Sequence, residues 1–188
     1  MTPSSSVGAG VSTTHQKPSV QPATYKVPPV RFAFVHLNKP FDVAMVGQVI
    51  VATGHVEASL VGQGIGFNHP KVISRLESWN IQHPEELLRD KSKCYRTIDA
   101  LKQENKTSRF VETVVEGGEN PFRYKWRDDD IIVIGGANGL SKQDIEKMDA
   151  LVTIPIPPEV EFLTVSTVVA VLGYHILGER LLWEKLEK

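Results

Sequence analysis

A single cysteine, Cys94, stands among 188 residues, so the chain has no internal disulfide framework and no cysteine-based metal site. Six histidines are scattered through it (His15, His36, His55, His69, His83 and His175), and none falls in an HxxxH or HExxH pair. That removes the helix-borne zinc signatures. The phosphate-loop pattern GxxxxGK[ST] and the dinucleotide pattern GxGxxG are also missing. No sign of charge dominates: 21 Lys and Arg face 22 Asp and Glu, for a net charge of −1. The whole-chain balance therefore gives no footprint for nucleic acid, although a dimer can still present a local basic patch. The longest apolar run lies near the C-terminus and is broken by Gly173 and His175. It is expected to be too short to cross a bilayer, and no membrane partner is predicted.

Acidic residues are absent before Asp42, and arginine is absent from the first thirty residues. Residues 1–29 are rich in Ser, Thr, Pro and Gly, with no apolar periodicity before Val30, and read as a disordered tail. An acid-free, Ser-rich start is one mark of an organelle transit peptide, while the missing arginine fits a plain extension. A cytoplasmic and a mitochondrial location both remain open. The remainder, 30–188, is long enough for one α/β domain and short for two.

Apolar periodicity carries the rest. Arg31–Leu37 reads as a strand. Asn38-Lys39-Pro40 is a turn that opens a helix from Phe41 to about Thr53, stopped by Gly54. Val56–Val61 is a second strand, QGIGFNHP a loop and Lys71–Trp79 a helix. This alternation predicts a mostly parallel sheet flanked by helices. PEELLRD and Thr97–Lys102 are short helices, and Arg109–Val115 is a strand followed by the turn EGGENP. Ile131–Ile134, four β-branched residues between Asp130 and Gly135, is a buried strand. A glycine loop leads to a helix over Ser141–Lys147 with Ser141 as N-cap. Ala150–Ile154 is the last strand and Glu161–Lys188 the last helix, with Ile176, Leu177, Leu181 and Leu182 on its apolar side.

Two loops sit at strand carboxyl ends, where open parallel sheets hold ligands. In IIVIGGANGLS, glycines let backbone N–H groups approach a ligand; a plain tight turn explains them equally well. In IPIPPEVEFLTVS, prolines stiffen the chain and leave carbonyls free to accept hydrogen bonds, which suits a purine edge. RYKWR alternates basic and aromatic residues, as in segments that stack on RNA, and more commonly as in a solvated edge.

Three segments together resemble the SpoU-like (TrmH-type) branch of the SPOUT RNA methyltransferases. The family's first motif places Asn, Arg and Gly at fixed intervals after a strand; NKPFDVAMVGQVIVATG has Asp42, Gln48 and Gly54 there. Its second motif ends a strand in a Gly-x-Glu loop and Gly-Leu-Ser; here the loop is IIVIGGANGLS, with Gly136 or Ala137 in place of the Glu. Its third is matched by IPIPPEVEFLTVS, at the family's spacing, with Phe162 for Ser and Thr164 for Asn.

The resemblance implies an α/β fold whose C-terminal segment is threaded into a deep trefoil knot, a homodimer packed through the last helix, and S-adenosylmethionine as cofactor. By position it implies cofactor contacts from Val115, Gly117, Gly135, Gly136, Gly139, Ile154, Ile156 and Leu163. Asp42, Gln48 and Thr164 are the positional equivalents of catalytic groups. The implied activity is methylation of a ribose 2′-hydroxyl in tRNA or rRNA. Gln48 carries no charge and is no base, so an inactive RNA- or ribonucleoprotein-binding protein, such as a ribosome assembly factor, is the alternative.

Overall fold

A computed structural model describes residues 26–136 and 138–186, with side chains to residue 182. The six strands run in the order β3-β2-β1-β5-β4-β6. In chain order they are β1 (Val30–Val35), β2 (Val56–Val61), β3 (Ser92–Tyr95), β4 (Phe110–Thr113), β5 (Ile131–Gly135) and β6 (Ala150–Val152). Every neighbouring pair is parallel, so all six carboxyl ends lie along one rim. The expected parallel sheet is present.

The helices are α1 (Pro40–Thr53), α2 (Pro70–Ser78), α3 (Pro84–Arg89), α4 (Ile98–Glu104), α5 (Lys142–Ile145) and α6 (Val165–Leu186). α1 starts on Pro40, which fits a first turn that lacks partners for its N–H groups. It ends at Gly54, whose φ of 63° lets its N–H close on the Ile50 carbonyl. One core layer joins Phe32, Phe34, Val43, Ile50, Leu76, Leu172 and Ile176 between the sheet and helices α1, α2 and α6. The opposite face holds Ala33, Val35, Ile98, Leu101, Phe110 and Val133 beneath α4, with Leu140 and Met148 packed against it.

Several boundaries differ from the sequence reading. The first described residue packed on the core is Val27, ahead of the expected boundary at residue 30; residues 1–25 of the predicted tail lie outside the described residues. Arg180 on α6 donates to the carbonyls of Pro28 and Pro29, which seats this segment. β3 was not anticipated, because SKCY is polar and forms the sheet edge. The last helix begins at Val165, four residues late, since the prolines keep the preceding chain extended. It spans 22 residues, and its apolar run is longer than expected: an 18-residue window is apolar enough to cross a membrane by length and composition alone. Val169, Leu172, Ile176 and Leu177 of that window are buried in the core. Leu182, assigned to the apolar side, is exposed.

The edge at β6 has an unusual surround. On one side Val152 lies in register with Thr113 of β4, and its carbonyl accepts the Val114 N–H at 2.9 Å. On the other side the chain leaving β4 comes back round. Glu119 donates to the Leu151 carbonyl at 2.9 Å and accepts the Thr153 N–H at 2.8 Å, in a parallel bridge with Val152. Residues 114–119 therefore wrap both edges of the last strand.

Candidate active site at the carboxyl rim

The loops after β4, β5 and β6 meet on the carboxyl rim because the strands that carry them are adjacent and parallel. Gly118 closes the first loop onto the last strand. Its N–H donates to Thr153 Oγ1 at 2.9 Å. Val115 stands 62% exposed at the mouth, while Ile154, Ile156 and Leu163 are half-buried on the opposing segment. Ile154 and Leu163 pack against the core layer under α1, α2 and α6. Among the described residues, the backbone of 154–163 makes one bond to other backbone, Val160 N–H to the Pro157 carbonyl. Carbonyls left without a backbone partner in this proline-rich segment can accept hydrogen bonds, as a purine edge requires.

The glycine loop is used differently. Gly136 donates to the Val35 carbonyl at 2.8 Å and accepts the Gly139 N–H at 2.9 Å. Its polar groups are thus spent on the sheet and on a tight turn. Gly135 lies directly under that turn: a Cβ there would stand 2.5 Å from the Gly139 carbonyl carbon. Gly117 and Gly139 adopt φ values of 82° and 67°, as turn positions do. For Gly136 and Gly139 the turn reading accounts for the main-chain groups, and ligand contact through them is left to Cα surfaces.

The three positions equivalent to catalytic groups stand at two helices, Asp42 and Gln48 on α1 and Thr164 just before α6. Asp42 sits half-buried in the first turn of α1, where the helix N-terminus favours a carboxylate. Gln48 is exposed and six residues on, about 9 Å along the axis and on a different face. Thr164 caps α6: its Oγ1 accepts the Thr167 N–H at 3.3 Å and lies 2.8 Å from Thr167 Oγ1. RYKWR does not offer a stacking platform. Tyr124 is buried against Val111 and Val152, and Trp126 packs on it with ring centroids 4.8 Å apart.

Two groups on the rim escaped the sequence reading. Glu112 of β4 is 3% exposed, and its Oε2 has no hydrogen-bond partner among the described residues. Burial, and then the charge of Asp144, push its carboxyl up to about 7. The signal was present, since a lone carboxylate stands in the apolar strand FVETVV. Asp144 itself is held below the usual carboxylate range by the Ser141 hydroxyl at 2.7 Å, by Lys147, and by the nearby charge of His36. His36 is the second group. It ends β1 with φ 56°, and its ring is exposed.

No protein-family model matches the chain, and no curated protein matches it in sequence. Solved structures do match. A candidate RNA methyltransferase of Bacillus anthracis aligns at a TM-score of 0.66 with 22% identity, over 80% of this chain and 94% of that one. A protein studied for 2′-OH methylation of C/U34 on tRNA aligns at 0.65 with 17% identity, over 80% and 89%. The SpoU methyltransferase AviRb of Streptomyces viridochromogenes aligns at 0.69 with 16% identity, over 81% of this chain and 60% of its own. AviRb has also been solved with AdoMet, and that form aligns at 0.66. The chain therefore has the fold of the SpoU-type RNA methyltransferases, as its three motifs implied.

Proposed function

We propose that this protein binds S-adenosylmethionine at the carboxyl rim and transfers its methyl group to a ribose 2′-hydroxyl of tRNA or rRNA. The observation that carries the reading is the enclosure of β6. Val114 and Glu119 hold opposite edges of the strand, and the loop that comes after it is stiff, apolar and rich in carbonyls without a backbone partner among the described residues. Enclosure of this kind supports a C-terminal segment threaded through the β4–β5 connection as a trefoil knot. Ile154, Ile156, Leu163 and Val115 would hold the adenine and ribose, and Gly117 would close the pocket. When bound, the cofactor supplies an electrophilic methyl group on a sulfonium.

A homodimer through α6 belongs to the same reading. Tyr174 and Leu182 project exposed from that helix, and exposed Phe122 packs its ring against His175 of the same helix at 5.1 Å. Exposed apolar side chains on a long helix are what a partner covers. A second reading is carried by Asp42, Gln48 and Thr164: with these residues in place of the family's Asn, Arg and Asn, the chain would bind RNA or a ribonucleoprotein without turnover.

Labelled S-adenosylmethionine incubated with the protein and total RNA of its source cells separates the two. Label in RNA supports the first reading. Binding of RNA with no label transferred, in the presence of bound cofactor, supports the second.

A further inference from the structure

Strand β1 lies at the centre of the sheet, and the chain leaves it toward β2 on one side while β5 joins it on the other. The crevice between β1 and β5 is the topological switch point, where open parallel sheets place their ligands. His36 is the first residue beyond β1 at that point. Three glycines from two loops press on His36 and its neighbour Leu37. A Cβ on Gly62 would stand 2.5 Å from His36 Cε1 and 2.6 Å from Nδ1. One on Gly136 would stand 2.7 Å from the His36 carbonyl oxygen, and one on Gly64 2.9 Å from the Leu37 carbonyl oxygen. The His36 N–H is fixed to the Val61 carbonyl at 2.9 Å. A non-glycine residue in the left-handed region, held from both sides, marks a position whose geometry is specified.

The other described histidines are placed elsewhere. His55 contacts the Val27 carbonyl at 2.6 Å below β2, and His69 caps α2. His83 precedes α3, and His175 faces Glu179 on α6 at 3.4 Å. His36 is thus the described imidazole that directly follows β1 at this crevice. On the facing α5, the Asp144 carboxylate stands near enough for the two side chains to interact through charge, and Lys147 binds that carboxylate at 3.2 Å.

We propose that His36 is the general base of the transfer, replacing the polar groups that Gln48 and Thr164 do not supply. This rests on the function proposed above. His36 takes the proton of the ribose 2′-hydroxyl as that oxygen bonds to the methyl carbon. The carbon–sulfur bond breaks, its electron pair returns to sulfur, and the sulfonium charge is cancelled. The proton then leaves His36 for water, so charge and atoms balance. An imidazole nitrogen with a free lone pair can take that proton.

The test uses the full-length chain and His36→Asn, which tolerates the left-handed backbone and has no basic ring nitrogen. The His36 ring resonance, assigned by its loss in the variant, is compared with S-adenosylmethionine and with S-adenosylhomocysteine bound. A sulfonium beside the ring displaces that resonance relative to the neutral thioether. Methyl transfer to total source RNA is measured in parallel. His36→Asn is expected to bind cofactor within about two-fold of wild type and to lose transfer by about 100-fold. The same His36 resonance with both ligands, transfer at the wild-type rate in the variant, or cofactor binding without any transfer by the wild type would each overturn the inference. Absence of cofactor binding would overturn the proposed function itself.

Discussion

Gly118 and Val152 are in backbone contact: a Cβ on Gly118 would stand 2.6 Å from the Val152 carbonyl carbon and 2.7 Å from its Cα. This contact lets the chain leaving β4 pass round the last strand. Neither neighbour is a flexible side chain, so neither can yield. Gly118→Ala is expected to cost about 1–3 kcal/mol. Gly117→Ala meets nothing within 4 Å, yet its φ of 82° makes alanine strained there, at about 1 kcal/mol. Urea denaturation of both variants checks the order; equal costs would contradict the close passage.

Glu112 sets a pH dependence. Its carboxyl rises from an ordinary 4.5 to about 7 because burial, and then Asp144, disfavour the charged form. The folded state therefore favours the neutral acid. The associated stability is fully present below the ordinary value and is lost as pH rises through about 7. Glu112→Gln should flatten this slope and be the more stable protein near about pH 8, by up to roughly 3 kcal/mol. Asp144 is held below its ordinary 3.8, so its opposite effect falls at lower pH. Unfolding free energies from about pH 5 to about pH 8 decide the matter; a wild type with no slope would contradict it.

Arg109 and Asp130 form a two-pronged pair at 2.8 and 2.7 Å, with the Asp130 side chain 2% exposed. Asp130 also accepts the Arg127 N–H at 2.8 Å, which ties down the segment entering β5. Arg109→Leu would strand a buried carboxylate and should cost about 3–5 kcal/mol. Because the pair is shielded, raising salt should change this difference little. A cost below about 1 kcal/mol would place the pair among weak surface bridges.

Gly54 gives a calibrated contrast. With φ of 63° and open space around it, Gly54→Ala should lose only the backbone preference, about 1 kcal/mol. A larger loss in thermal unfolding would mean that the turn into β2 bears other contacts.

The strands and helices that were legible in the sequence owe their form to local causes. Val56–Val61 alternates apolar Val56, Ala58 and Leu60 with polar Glu57 and Ser59, Gly54 stops a helix, and Ser141 caps one through Asp144 N–H at 3.2 Å. The parts that were not legible depend on residues distant in the chain. β3 exists because Ala58 to Val61 offer it an edge to pair with, despite a charged sequence. Tyr124 turns inward because Val111 and Val152 meet beneath it. Of the candidate site, the stiff loop around Ile154 and Ile156 could be read from its prolines. His36 could not, because its role depends on Gly62, Gly64 and Gly136 converging from two other loops.

Cofactor binding at the enclosed strand is tested most directly by calorimetric titration of S-adenosylmethionine into the full-length protein. Saturable binding with a micromolar Kd, and competition by S-adenosylhomocysteine, is the expected result. No binding heat at millimolar cofactor would contradict the proposed function and leave the enclosed strand as scaffold alone.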